Sequence, residues 1–549
     1  MKELFRRLIA RPYLAGEMLL VTFFINLLAL ISAVYVILIL NRYVGYGLDS
    51  TLFTLTTGAI LVVVFEFAFR MARMRLARGL AAPRDLQTAD KTFESLLAAR
   101  TEALDHLPIG LKREVMGSLA SIQQAYNPPN LVALMDVPFV IVFLVALYLL
   151  SPLLALLATL FLAFMVGLVV FSNRRQPEIQ ERLTGESAHA GALIGNALDT
   201  DTVRAFNTAG ILQGFWRQRQ SALGGLRNKT ALMQGRIQSM SRSMQSLMTI
   251  VIIGTGAFLV VSGELHVGAM IGANILATRA MQPLTRIAGL SNTLAKADLS
   301  MRQLKDILTL AQEPATGISP ASCQGRIEFR DVGFAFPGST GPLIESLTTE
   351  ISSGSIVAVC GANGTGKTTF ARLIVGLLQP GRGQIFVDGV ELRQLAPDWW
   401  RRQIVYLPQE PTFFQGTARQ NITALNPEMT DEDVQKVVEQ AGLRQFFDER
   451  PQGLDLHLSG NGARLALGIR RRMALARALA SQQAVGLFDE PFAGLDAEGG
   501  KAVNQVINQM VKQGKTVFIF THDASGIDGA NYVIDLNSKP KPTVREISS

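Results

Sequence analysis

Residues 18–40 (MLLVTFFINLLALISAVYVILIL) contain no charged side chain. Coiled as a helix, a run of that length crosses a bilayer core of ~30 Å. It is too long for the apolar core of a signal peptide, and no small-residue cleavage site follows it. More apolar runs come after it: 52–69, with Glu66 near its end; 131–150, interrupted by Asp136 and Pro138; 153–171, after a Ser151-Pro152 turn; 247–261; and a weaker run, 268–287, that holds Arg279, Pro283 and Arg286. Six membrane spans are predicted. Hydrophobic residues make up 48% of the chain and charged residues 17%, which excludes a disordered protein. The two cysteines, Cys323 and Cys360, exclude a disulfide scaffold and a multi-cysteine zinc module, and five histidines leave little for a histidine-rich metal site.

The runs come in pairs. A few residues separate the first from the second, the third from the fourth and the fifth from the sixth. Residues 70–130 and 172–246 instead form long amphipathic segments with mostly helical patterning. The short connections hold one basic residue, Arg42. The first long segment holds nine, from Arg70 to Arg113, and the second ten, from Arg174 to Arg242; Lys2, Arg6, Arg7 and Arg11 precede the first run. Loop Lys/Arg bias sets orientation, so the N-terminus and both long segments are expected in the cytoplasm. The net charge of +8 is then mostly topology, and nucleic acid is excluded as a partner. Ionisable groups within spans are costly and tend to face the bundle interior, which makes Glu66, Asp136 and Arg279 candidates for a transport path.

Composition changes after Ala311. Residues 312–320 (QEPATGISP) are turn-rich, and 312–325 is read as a linker between a membrane domain, 1–311, and a second domain, 326–549. From Arg326 short apolar runs alternate with helical patterns, as in an α/β domain. Residues 356–360 (IVAVC) form a predicted buried strand. It leads into Gly361, Ala362, Asn363, Gly364, Thr365, Gly366, Lys367 and Thr368, and a helical pattern follows from Thr369. That order fits the phosphate-binding loop G-x-x-x-x-G-K-[ST] in its proper strand-to-helix setting. The glycines let backbone N–H groups curl around phosphate oxygens, Lys367 reaches the β- and γ-phosphates, and the helix N-terminus faces the anion. The Thr368 hydroxyl ligates Mg²⁺. A second run, 484–488 (AVGLF), ends in Asp489 and Glu490. A strand ending in an acid after such a loop supplies the Mg²⁺-linked carboxylate, here Asp489, and Glu490 is placed to polarise an attacking water. A third, 516–520 (TVFIF), ends in Thr521-His522-Asp523, with His522 placed for the γ-phosphate. ATP and Mg²⁺ are the expected cofactors.

Six spans with long cytoplasmic segments, followed by this domain, resemble an ATP-binding cassette (ABC) half-transporter of the exporter type over nearly the whole chain. The resemblance implies a membrane all-α six-helix domain of the type I exporter fold, fused to an α/β P-loop nucleotide-binding domain and working as a dimer. It also implies roles for further residues. Phe336, in 333–336 (GFAF), lies where the family places an aromatic that stacks on adenine, usually tyrosine. Gln409, in 406–411 (YLPQEP), matches the glutamine that touches Mg²⁺ and the attacking water. Asp496, in 493–496 (AGLD), falls in the loop that couples the two sites of a dimer, and His522 matches the switch histidine.

The family's signature motif, L-S-G-G-Q, opens a helix against the γ-phosphate of the partner's ATP. Two placements compete: 458–462 (LSGNG) is closer by letters, while 465–469 (LALGI) runs directly into the arginine-rich 470–479 (RRRMALARAL). Context favours the second. It puts Ala466 where the serine belongs and leaves Gly468 and the helix N-terminus to offer N–H groups. Losing one hydrogen bond to a charged group costs about 1.5–3 kcal/mol. The retained Lys367, Asp489, Glu490 and His522 nevertheless imply an ATP hydrolase coupled to transport.

Residues 127–139 (NPPNLVALMDVPF) and 262–276 (SGELHVGAMIGANIL), with Arg279 and Pro283 beyond, resemble the type I protein-secretion branch. This implies a multi-pass protein of the bacterial inner membrane with its nucleotide-binding domain in the cytoplasm. It would move an unfolded polypeptide to a membrane-fusion protein and an outer-membrane channel. No peptidase domain fits before Met18, so no cleavage of the substrate is expected. Residues 199–208 match the place of a coupling helix. The alternatives are an exporter of lipid, peptide or siderophore-like small molecules, and a regulatory membrane module that holds ATP without hydrolysing it.

Overall fold

The structure is a computed structural model that describes residues 2–47, 49–105, 107, 109–339, 341–523, 527 and 529–547. The side chains of Lys2, Lys112, Arg113, Arg174 and Arg175, counted above among the basic residues, lie outside the described ones. The chain divides into two compact units. One comprises Met1–Leu97 and Asp105–Leu310, the other Ala98–Leu104 and Ala311–Ser549.

The first unit is helical. Five segments are long and apolar enough to cross a membrane: Pro12–Tyr43, Asp49–Ala98, Pro128–Leu150, Pro152–Ala197 and Ala209–Val261. The Pro12–Tyr43 segment ends in a π turn, Ile39–Tyr43, and Pro128–Leu150 is interrupted by a 3₁₀ turn at Val137–Phe139, where Pro138 removes a donor. Between the third and fourth segments, Ser151 caps the next helix by accepting from the Leu154 N–H, and Pro152 occupies the first helical position. The long basic segments are continuations of the span helices. Asp49–Ala98 carries the second apolar run and half of the first basic stretch, and a short helix, Thr200–Ala205, joins two helices of 46 and 53 residues.

The sixth predicted span lies within a helix, Val267–Leu308, that is less apolar than those five because Asn274, Arg279, Gln282 and Arg286 dilute it. The helices Pro12–Leu38, Ile109–Ala125, Val140–Leu150, Pro152–Ala197 and Ala209–Val261 pack against it, and its buried face is rich in small residues, among them Gly268, Ala269, Gly272, Ala273 and Ala277. A Cβ on Gly272 would sit 2.5 Å from the Ile37 side chain, and one on Gly268 would sit 2.8 Å from the Ile37 carbonyl oxygen. Small residues let helix backbones approach closely where lipid removes the hydrophobic drive for association.

The second unit is α/β. Its strands are β1 (Ile327–Phe334), β2 (Ile344–Ile351), β3 (Ile356–Cys360), β4 (Arg382–Val387), β5 (Val390–Glu391), β6 (Ile404–Leu407), β7 (Gly416–Thr417), β8 (His457–Leu458), β9 (Val485–Asp489), β10 (Thr516–Thr521), β11 (Tyr532–Asp535) and β12 (Thr543–Glu546). A six-stranded sheet runs β12-β11-β3-β10-β9-β6, parallel except for β12 at its edge. All three strands predicted from apolar runs are adjacent at its centre, as β3, β10 and β9. Every residue of β9 is buried, as expected for a parallel strand covered on both faces. An antiparallel sheet, β2-β1-β4-β5, packs its apolar face into the same core as the helix Lys367–Val375.

Residues 98–104, which the sequence reading kept with the membrane domain, group with the second unit through backbone pairing. Arg100 N–H donates to the Ala311 carbonyl at 2.9 Å, and Glu313 N–H donates to the Ala98 carbonyl at 2.7 Å. The Glu102 carboxylate accepts from the Gln379 N–H at 2.8 Å, and Arg100 donates to the Gln379 side chain at 3.0 Å. The segment read as a linker is likewise tied down. Ile318 pairs with Leu395, and Glu313 binds both terminal nitrogens of Arg401.

Candidate active site

The centre of the parallel sheet positions the site, because β3, β9 and β10 end side by side and each ends in chemistry. β3 runs into the loop from Gly361 to Gly366. Gly364 and Gly366 have φ of 81° and 104°, in the region that favours glycine, and a Cβ on Gly366 would sit 2.8 Å from Leu343. The loop turns into the helix Lys367–Val375. Ala362, Asn363 and Gly364 are exposed at the tip of the loop, while Gly361 and Lys367 are buried at its base.

Five side chains from the three strand ends converge. Lys367 Nζ donates to the Gly361 carbonyl at 2.7 Å and lies 3.2 Å from Glu490 Oε1. The same carboxylate oxygen is 3.0 Å from His522 Nε2, and His522 Nδ1 is 3.4 Å from Lys367 Nζ. Thr368 Oγ1 donates to Asp489 Oδ2 at 2.7 Å. Asp489 is 1% exposed, and its other carboxylate oxygen is buried without a partner. Burial raises the Asp489 pKa above the usual carboxylate range, and the Thr368 hydrogen bond works against that shift. A buried, half-satisfied carboxylate beside a threonine hydroxyl fits a hard, oxygen-seeking cation.

Glu490 adopts φ 51°, an uncommon conformation for a residue with a Cβ, and its N–H donates to the Phe520 carbonyl at the end of β10. Arg471 helps to hold that turn. Its guanidinium donates 2.8 Å bonds to the carbonyls of Glu490 and Gln409, which ties the strand end to the Gln409 loop. The Gln409 side chain is exposed, and no bond joins it to Thr368 or Asp489 among the described residues.

The other candidates sit apart from this cluster. Phe336 is 47% exposed and packs edge-on against Phe334. The arginine-rich helix is Leu467–Leu479. Ala466 is its N-cap with no side-chain cap bond, and Gly468 lies in its first turn. Residues 460–462, within the alternative placement, form a separate 3₁₀ turn. Asp496 caps the helix Ala497–Lys512 by accepting from the Gly499 N–H at 2.9 Å, and it pairs with the Arg472 guanidinium. These bonds hold its carboxyl below the usual range. Thr369 is half-buried in the first turn of the phosphate-loop helix.

Three bracing residues were not read from the sequence. Arg471 was noted only as part of a basic run. Asn537 accepts from the Ala362 N–H at 2.8 Å, and Lys539 Nζ donates to the carbonyls of Leu343 and Thr365. Both belong to the C-terminal stretch after β11, where no motif marks them. The two cysteines are spectators, since burial pushes the Cys360 thiol to about 11 and that of Cys323 to about 12.

Known proteins share this arrangement. The ABC transporter transmembrane region matches residues 16–284, and the ABC transporter ATPase domain matches residues 344–493. The leukotoxin export ATP-binding protein LtxB of Aggregatibacter actinomycetemcomitans is 26% identical over 525 residues, which is 94% of this chain and 73% of that protein. The alpha-hemolysin translocation ATP-binding protein HlyB of Escherichia coli O157:H7 is also 26% identical over 525 residues, 95% of this chain and 74% of that protein. A solved bacterial Atm1-family ABC exporter with ATP bound superposes with a TM-score of 0.83 at 20% identity, covering 97% of this chain and 94% of that one, and it shares the fold. The chain belongs to the ABC transporter family as a multi-pass membrane protein of type I exporter fold, whose ATPase domain couples ATP hydrolysis to transport.

Proposed function

We propose that the chain is the ATPase/permease of a type I secretion system, a half-transporter of the bacterial inner membrane that pairs with a second copy and moves an unfolded polypeptide out of the cytoplasm. A membrane-fusion protein and an outer-membrane channel complete the route. Both relatives described above are named for toxin export or translocation, and each aligns with nearly all of this chain.

The observation that carries the ATPase chemistry is the convergence of Lys367, Thr368, Asp489, Glu490 and His522 at three adjacent strand ends. The loop glycines and Lys367 hold the triphosphate, and Phe336 stacks on adenine. Thr368, Asp489 and Gln409 would hold Mg²⁺, which would supply charge neutralisation at the phosphates. Lys367 and His522 both lean on Glu490. A γ-phosphate competes for Lys367 and His522 and frees the Glu490 carboxylate to accept a proton from the attacking water. Ala466 and Gly468 face the γ-phosphate bound by the partner, and the Asp496 loop links the two sites. Arg471 and Arg472 join that helix to Glu490 and Asp496. The helix Thr200–Ala205 is the coupling helix.

The test has two arms. Purified chain in nanodiscs should release phosphate from Mg²⁺-ATP; none, with or without added polypeptide, overturns the ATPase assignment. Deleting the chain from its host should remove a polypeptide from the culture medium. An unchanged set of secreted proteins, together with a lost lipid or small molecule, would make it a small-molecule exporter.

A further inference from the structure

The membrane unit contains a cavity whose charge its own fold does not balance. Four guanidinium groups, Arg70, Arg73, Arg279 and Arg286, line it, with Asp136 the one carboxylate in the lining and Asn26 beside it. Arg73 donates to Asp136 at 2.6 Å, and both residues are more than nine-tenths buried. Arg286 lies 3.7 Å from the other Asp136 oxygen, and Arg70 is paired outside the cavity with Glu66 one turn earlier. Arg279 has no ion pair among the described residues. The Nε of Arg73 is buried without a partner. An unpaired guanidinium and an orphaned buried N–H are both costly away from water, and both are satisfied by an incoming oxyanion.

Resting on the polypeptide-export reading, we infer that this cavity is a binding site on the transport path for the carboxylates of an acidic stretch of the exported polypeptide. Arg279, Gln282 and Arg286 follow one another at three- and four-residue spacing, so they form a row along one face of the helix Val267–Leu308. Gln282 and Arg286 are exposed, whereas Arg73 and Asp136 sit at the closed end. A row of this kind suits an extended chain that presents several carboxylates in succession. An anionic lipid would need a continuous apolar wall for its acyl tails, and this lining is mostly guanidinium, amide and carboxylate.

The experiment uses the full chain in nanodiscs of neutral phosphatidylcholine. The probes are fluorescent decapeptides of alternating Gly and Glu, or of Gly and Gln, and binding and ATP turnover are both measured. The Glu peptide should bind roughly tenfold or more tighter than the Gln peptide, the value of one charge-assisted hydrogen bond. The double variant Arg279→Gln, Arg286→Gln should erase that preference while keeping basal ATP turnover. Both residues are partly exposed, so the variant folds; Arg73→Gln is avoided because it would strand Asp136. Arg279→Glu should shift preference toward a Gly-Lys peptide. Equal binding of both peptides, or a preference that survives the double variant, overturns the inference and leaves polypeptide export standing. Binding of neither peptide overturns both. Glu-peptide binding to the native chain that is abolished by phosphatidylglycerol in the nanodisc would assign the site to lipid and also overturn it.

Discussion

Two helices of the ATPase unit begin facing places where phosphate is expected, and they begin differently. The helix Lys367–Val375 starts from a glycine loop with positive φ at Gly364 and Gly366, carries Lys367 and Thr368 in its first turn, and is braced from outside by Asn537 and Lys539. The helix Leu467–Leu479 starts at Ala466, which has no hydroxyl and makes no side-chain cap. Its order comes from behind, through Arg471 and Arg472. One terminus supplies side-chain charge and hydroxyl donors as well as N–H groups; the other offers N–H groups and the helix dipole alone. On the proposed placement of the signature motif, the chain would grip its own nucleotide firmly and a partner's nucleotide weakly.

The largest expected effect falls on the well-equipped side. Glu490→Gln should cut phosphate release by about 10²–10⁴-fold while leaving ATP bound, as loss of a general base does. Turnover close to that of the native chain would move the base elsewhere and break the assignment of this strand end. Lys367→Ala should lower turnover by about 10²–10³-fold and, unlike Glu490→Gln, should also weaken nucleotide binding, because it removes a fixed charge at the phosphates. Equilibrium binding of a fluorescent ATP analogue separates the two variants.

Ala466→Ser probes the poorly equipped side, and it should be a gain. The hydroxyl restores a hydrogen bond to a charged phosphate worth about 1.5–3 kcal/mol, so ATP-driven pairing of two chains should tighten roughly tenfold or more. Serine at the N-cap should also stabilise the nucleotide-free helix by about 1 kcal/mol. Light scattering of chains in the Glu490→Gln background, with and without Mg²⁺-ATP, reads the first effect, and thermal melting the second. If only the melting temperature rises, Leu467–Leu479 does not face the partner's phosphate, and 458–462 becomes the better placement.

What could be read from the sequence follows the range of the interactions. The phosphate loop, Asp489-Glu490 and His522 are local: each is a short apolar run followed by the chemistry it delivers, and a parallel strand must be apolar throughout. Their order in the sheet, with β10 between β3 and β9, required the structure. The pairing of Ala98–Leu104 with residues 311–313 spans more than 200 positions and leaves no local trace, so composition alone does not group Ala98–Leu104 with the second unit. Arg471 looked like one of three basic residues because a run of arginines does not say which one is buried. The sixth span was weak for a physical reason: a helix enclosed by other helices keeps small residues for packing and polar ones for a cavity, and both reduce its apolar signal.

The smallest expected effect concerns Asp489. Burial raises its folded-state pKa above the ordinary value, so the folded protein holds this proton more tightly than the unfolded chain. The stabilisation is therefore complete below the unfolded pKa and is lost as pH rises through the folded one. Above that folded pKa the ionised carboxylate is a cost, and its unpartnered oxygen is where that cost resides. Asp489→Asn removes the titration. The nucleotide-free variant should melt higher than the native chain at neutral pH, with the gain shrinking as pH falls and the native aspartate takes up its proton. Adding Mg²⁺-ATP should reverse the order, because the native chain alone regains a cation on that oxygen. A variant that melts lower than native at every pH, or that gains as much from Mg²⁺-ATP, would mean that the buried carboxylate serves the fold and is not kept ionised for a metal.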